Sequence, residues 1–422
     1  MRIAAALLFL LAWRSDAASP VFALVEEFDR VAAQPLWPGF DARKTPLELY
    51  DGVNTYLFRH PAPPKEFTPV EGHPGFLVYA GRHSTMRADT SVEVGGAMTA
   101  TFEFDRADTA SAAALLHECF HVFQAREHPS WTANEAVLFT YPIDDGQALA
   151  LVRLEMEAMS RALVAERPEC WAARVRALRQ ERFSRLPADA AAYERGTELH
   201  EGLAYYVEGM AAGRKEVRFR SFEPGQVRLR LYVSGEALAR LLDRLDPGWK
   251  SKIATSLDAL LPESVAGSCD FTAAERQAAE AQARTDVEKL ERGRAEMIEA
   301  FEAQSGWRVT VETASGKPLW LDGFDPMNVT RLSGRSILHK RWLKLHNDSG
   351  SLEILNHGSV TEAAGAHPLF NGVRQWRTAG LSARPEVKQD GARVTVTSPG
   401  ITIAFSNAEV DWHAESVTIR LR

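Results

Sequence analysis

A chain of 422 residues, 45% hydrophobic and 25% charged, is long enough for two or three domains with substantial cores. Its formal charge of −7 excludes the basic footprint that would hold nucleic acid or an anionic membrane surface. After the first residues, no stretch stays apolar for the roughly 20 residues that span a bilayer, so no transmembrane segment is expected in the mature chain.

Residues 1–18 read as a secretory signal peptide: Arg2, a short apolar run from Ile3 to Trp13, then small residues ending at Ala17 and Ala18. The expected location is therefore secreted or periplasmic, where Cys170 and Cys269 can pair. Cys119, spaced with Leu115 and Val122, reads as a small core hydrophobe.

Residues 19 to 70 combine an amphipathic segment, Val21 to Ala33, with punctuation by Pro35, Pro38, Pro46, Pro61, Pro63, Pro64 and Pro69, the pattern of a wrapped arm. Phe76 to Tyr79, Val92 to Val94 and Met98 to Phe104 read as strands of a small sheet. Asp108 or Thr109 caps a helix that runs to Glu127 and stops before Pro129. That helix is apolar on almost every side, so it is buried and its polar residues need a reason to be there.

Helical patterns follow from Asp144 to Glu166, Trp171 to Phe183 and Ala190 to Ala212. Val227 to Tyr232 alternates like a strand, Ser234 to Leu245 reads as a helix, and Thr272 to Gln304 as a long solvated helix. Beyond Trp307 the texture changes to short alternating runs and turns, including Asn347-Asp348-Ser349-Gly350 and Asp390-Gly391. The expected class is α+β: a region over 19–304 with a small N-terminal β-sheet and a helical part, then an accessory all-β domain over 305–422.

The polar residues of the buried helix are His117-Glu118-Cys119-Phe120-His121, an H-E-x-x-H pentad. Residues i and i+4 share a helix face, so both imidazoles can meet one metal ion while Glu118 reaches toward the water that attacks the substrate. Zinc needs a third protein ligand, and the segment Glu198 to Glu208 offers it. There Glu201 and Glu208 stand two turns apart on a face otherwise made of Leu, Ala, Tyr and Val. Glu201 is the candidate third ligand, with Glu198 and Glu194 as substitutes in another register, and Glu208 the candidate acceptor for a ligand histidine. His200 is a further candidate for metal or substrate.

These residues resemble the gluzincin metallopeptidases, in particular the aminopeptidase N-like branch. Glu201-Gly202, Tyr206 and Glu208 are similar to that group's E-G-x-x-x-Y-x-E helix, and Tyr232-Val233-Ser234-Gly235 to its Y-x-x-G segment. Gly96-Ala97-Met98-Thr99-Ala100 stands where the group carries G-x-M-E-N on a substrate-binding strand. The resemblance implies a metallopeptidase catalytic domain holding Zn2+ by His117, His121 and Glu201, with Glu118 as general base. It also implies Tyr232 as oxyanion donor, Tyr205, Tyr206 and Tyr141 being the other tyrosines available, and Gly96, Ala97 and Met98 against a peptide or protein substrate. Thr99 replaces the glutamate that grips a free amino terminus, which disfavours aminopeptidase action. Two other functions fit the same residues: a binding protein that kept the metallopeptidase fold without turnover, and a zinc hydrolase of a non-peptide amide.

Overall fold

In the computed structural model, which describes residues 19–264 and 269–422, Ser19 and Pro20 start helix α1 (Pro20–Ala32). The Ser19 hydroxyl accepts from the Val21 N–H, and proline at the first helical position forfeits no hydrogen bond. The signal segment expected at residues 1–18 lies outside the described residues. Among those described, no helix is long and apolar enough to cross a membrane.

The chain divides into two compact units. One comprises residues up to Thr132, Thr197–Arg218 and Leu231–Leu260, and the other Ala133–Gly196, Phe219–Arg230 and Leu261–Arg422.

The first unit has a six-stranded sheet of β1 (Leu47–Tyr50), β2 (Asn54–Phe58), β3 (Thr68–Pro69), β4 (Phe76–Ala80), β5 (Thr90–Val94) and β6 (Ala97–Glu103). Its order is β3-β4-β2-β1-β6-β5, with β1 and β6 parallel and the other pairs antiparallel. The expected proline-punctuated arm therefore supplies three strands. Their signal is weak because β1 is buried at Leu47, Glu48 and Leu49 in succession, which abolishes the alternation that marks a half-exposed strand. Glu48 is tolerated there because the Thr85 hydroxyl donates to its carboxylate at 2.6 Å.

Helix α2 (Thr109–Glu127) starts on the Asp108 cap, whose carboxylate accepts from the Ser111 N–H, and packs against α1 and β6. Cys119 is wholly buried in it, and burial pushes its thiol pKa up.

In the second unit α3 (Gly146–Val164) packs on α4 (Glu169–Phe183) and on α8 (Ala273–Glu302). A disulfide joins Cys170 to Cys269, closing a separation of 99 residues and so restricting the unfolded chain. Thr272 and Glu275 cap α8 reciprocally, and of its 30 residues only Ala283, Arg294 and Phe301 are buried, as expected of a solvated helix.

Between these lie α5 (Ala188–Thr197), α6 (Leu203–Ala211) and α7 (Val227–Leu245). One turn of π-helix, Glu198–Gly202, separates α5 from α6. The segment Val227 to Tyr232, expected as a strand, is the start of α7. Its alternation counts Leu229 with Val227 and Leu231, but Leu229 is 46% exposed, whereas Val227, Arg230, Leu231 and Ser234 are buried at helical spacing.

Thirteen strands among the described residues of the second unit form sheets of seven and six strands. Their inward faces share one core, in which Val309, Val311 and Trp376 of the larger sheet meet Leu343, Ile354 and Ile403 of the smaller. The α+β class is thus realised as an N-terminal sheet, a central helical region and a C-terminal two-sheet β region.

Candidate metal centre

On α2 the imidazoles of His117 and His121 lie 4.8 Å apart, centre to centre, one turn along the same face. Both residues are buried, as are Glu118 between them and Glu201 in the π turn. The Glu201 carboxylate converges on both rings, with Oε2 3.5 Å from His117 Nε2 and 3.4 Å from His121 Nε2. His117, Glu118 and His121 form a group able to hold a metal, and His121, His200 and Glu201 a second, overlapping one.

The other nitrogen of each ring is occupied. His117 Nδ1 is 3.1 Å from Glu208 Oε2, so Glu201 and Glu208 take opposite sides of one imidazole. His121 Nδ1 is 2.8 Å from Gln124 Oε1. An acceptor at each Nδ1 places the proton there and turns each Nε2 lone pair toward Glu201.

These contacts test whether a metal fits. Zinc bonds of about 2.0–2.2 Å at tetrahedral angles separate neighbouring ligand atoms by about 3.3–3.6 Å, whereas a hydrogen bond would draw them to about 2.8 Å. The two Nε2–Oε2 separations lie on the metal side of that comparison. Three carboxylates, those of Glu118, Glu201 and Glu208, lie close to the two imidazoles, and Glu208 also faces Arg214 at 3.9 Å. Burial lowers the His117 pKa, while Glu201 and Glu208 at its two nitrogens raise it. Glu118 is raised by burial, opposed by His117 and His121, and its Oε2 is buried with no hydrogen-bond partner.

Gln124, which sequence reasoning passed over, links the two halves of the site. It is 1% exposed, and while Oε1 meets His121 its Nε2 donates to the Leu199 and His200 carbonyls at 2.9 and 3.0 Å. A π turn shifts the backbone ladder and leaves carbonyls to be met from outside, and the Gln124 amide meets two of them. Its signal was available, since a glutamine three residues after His121 on an apolar helix needs partners. If the site holds a metal, Gln124→Met, similar in length but unable to make these bonds, is expected to weaken its binding about 10–100-fold with an unchanged circular dichroism spectrum. Competition with a chromophoric chelator measures it.

Glycine sets the approach of α7. A Cβ on Gly202 would fall 2.6 Å from the Gly235 Cα, so the π turn and α7 touch backbone to backbone. Beside that contact the Ser234 hydroxyl donates to the buried Glu198 carboxylate at 2.5 Å. The same approach brings the Tyr232 ring parallel to His117, 6.0 Å away and inclined by 16°. Tyr205 meets Tyr232 edge-on at 5.9 Å, and its hydroxyl accepts from Arg214 at 2.7 Å. His200 stacks on His121 at 4.3 Å.

The other candidates are engaged differently. The Tyr206 hydroxyl donates to Asp243, and that of Tyr141 donates to Glu194, which also accepts from Arg182 and Arg230 within the second unit. Gly96 lies with Gly95 in the turn between β5 and β6, with φ of 82° and 51°, while Ala97 and Met98 pair with Val94 and Glu93 of β5. The outer strand here is β5, so Gly96, Ala97 and Met98 do not form the sheet's edge. Thr99 is buried and donates to the Ala97 carbonyl of its own strand.

No protein family, no curated protein and no solved structure matches this chain.

Proposed function

We propose that this chain is a secreted zinc metallopeptidase of gluzincin type, with His117, His121 and Glu201 as ligands. The observation that carries the reading is the convergence of Glu201 Oε2 on two Nε2 atoms at 3.5 and 3.4 Å, beside a buried carboxylate oxygen with no partner. Bound zinc supplies a Lewis acid that polarises a carbonyl and lowers the pKa of water toward about 7.

The chain's own residues do the rest. Glu118 Oε2 takes a proton from the attacking water as the water oxygen bonds to the scissile carbonyl carbon, then returns that proton to the leaving nitrogen as the C–N bond breaks. Tyr232, beside His117, donates its hydroxyl to the developing oxyanion, a contribution of about 3 kcal/mol for one such donor. Glu208 and Gln124 hold the histidine rings in the tautomer and orientation that present Nε2. β5 is the outer strand of its sheet, the place where strand addition would seat an extended peptide. With Thr99 turned into its own strand, no carboxylate at that position selects a free amino terminus, and cleavage within peptides is favoured.

Metal analysis coupled to digestion tests this. One zinc per chain and cleavage of casein that a chelator abolishes and zinc restores are expected. A zinc-loaded chain that cleaves nothing in a mixed peptide library removes the peptidase assignment.

A further inference from the structure

In the second unit, helix α3 and the segment Phe219 to Arg230 line a cavity of about 350 Å3. Leu149, Val152 and Met156 recur at helical spacing along α3, and with Phe219, Phe222 and Val227 opposite they give the cavity two apolar walls. Arg230 breaks the pattern. It is only 5% exposed, yet it lines this cavity and a second one of about 30 Å3 that shares Leu149, Val152 and Val227.

Arg230 Nη2 donates to Glu194 at 2.9 Å and stands 3.5 Å from the Tyr141 hydroxyl. Its Nε and Nη1 have no hydrogen-bond partner among the described residues, and neither belongs to the nitrogens sealed from solvent. A buried guanidinium thus keeps donors open to the two cavities it lines. The smaller has room for about one or two waters, the larger for a ligand.

The other charged groups of the lining are answered from outside it. Glu157 pairs with Arg161 and Glu223 with Lys289, both at 2.8 Å, and Arg153 pairs with Asp286. Arg220, exposed at the mouth, lies over the Phe222 ring at 5.0 Å and adds a further cation. Glu194 is shared between Arg230 and Arg182, so it answers the Arg230 charge only in part.

We propose that this cavity binds a fatty acid of medium chain length, with its carboxylate on Arg230 and its hydrocarbon tail between the two apolar walls. A cationic head would meet Arg230 and Arg220, and an uncharged apolar ligand would strip water from the guanidinium without supplying an acceptor. A multiply charged anion would face Glu157 and Glu223. The volume is at the lower end of small-molecule sites, about 300–1,000 Å3, and suits a single chain rather than a whole phospholipid. The inference concerns the second unit alone and does not depend on the metal centre.

Fluorescence titration of the full chain with dansylaminoundecanoate tests it. Saturable enhancement at one probe per chain is expected, and decanoate should displace the probe at a concentration about ten-fold or more below that needed of decanol, the worth of one charged hydrogen bond. Arg230→Gln should remove that preference. Because Arg230 also serves Glu194, a second variant, Met156→Trp, fills the cavity from a half-buried position and should weaken probe binding about ten-fold or more. Leu229→Ala, at an exposed neighbour of Arg230 outside the lining, should leave binding unchanged. Absence of saturable binding overturns the site, and so does binding that Met156→Trp leaves intact or that decanol displaces as readily as decanoate.

Discussion

Glu118→Gln is expected to keep zinc and to lose hydrolysis by about 10²–10⁴-fold, the contribution of a positioned general base. The substitution is nearly isosteric and places an amide where a buried carboxylate oxygen has no hydrogen-bond partner, so the helix and the two imidazoles have no reason to move. What the amide cannot do is take a proton. Under the proposed ligand set the metal is expected to stay, because Glu201 Oε2 lies 3.5 and 3.4 Å from the Nε2 atoms of His117 and His121 without Glu118. Single-turnover rates on a fluorogenic peptide together with zinc content per chain measure both halves. A variant retaining a third or more of wild-type activity would rule Glu118 out as the base, and one that loses zinc would instead make it a ligand.

The second large effect is on stability. Arg182 is wholly buried and donates to Glu155 through Nε and Nη2, at 2.9 and 2.8 Å, and to Glu194 through Nη1 and Nη2, at 2.6 and 2.8 Å. Glu155 keeps Arg179, and Glu194 keeps Arg230 and Tyr141, but among the described residues Oε2 of each carboxylate accepts from Arg182 alone. Arg182→Met leaves those oxygens buried and unmet, so a loss of about 3–5 kcal/mol is expected in urea unfolding followed by tryptophan fluorescence. A loss under about 1 kcal/mol would mean that water or the remaining arginines replace it.

The same network carries a pH signature. Burial pushes the Glu194 carboxyl up, but Arg182 and Arg230 outweigh it and hold its pKa well below the ordinary value of 4.5. A carboxylate depressed in the folded state adds stability that is present above its unfolded pKa and drains away as pH falls toward the folded value. The wild type should therefore lose stability on acidification below about pH 4.5 more steeply than Arg182→Met, in which that preference is already weakened.

Much of the site was legible because it depends on spacing along one helix. His117 and His121 share a face whatever α2 packs against, and Glu201 and Glu208 stand out as carboxylates on an apolar run. Reading failed where two periods fitted the same residues. Val227 to Tyr232 alternates, yet its buried positions repeat at helical spacing and Arg230 is buried only because Glu194 receives it. The β1 and β2 strands were hidden for the opposite reason, since burial on both faces erases alternation.

By itself, then, the sequence determined the α+β texture, the helix bearing the pentad and the carboxylates able to complement it, all consequences of local periodicity and residue chemistry, whereas the pairing of Cys170 with Cys269 came from the structure. Only the tertiary structure decided that Glu201 reaches both imidazoles, that Glu208 and Gln124 occupy their far sides, and that Tyr232 lies parallel to His117. Those relations arise from the backbone contact of Gly202 with Gly235 and from the π turn that exposes the Leu199 and His200 carbonyls. Helix period dictates which side chains share a face, but the meeting of two faces distant along the chain is settled by packing.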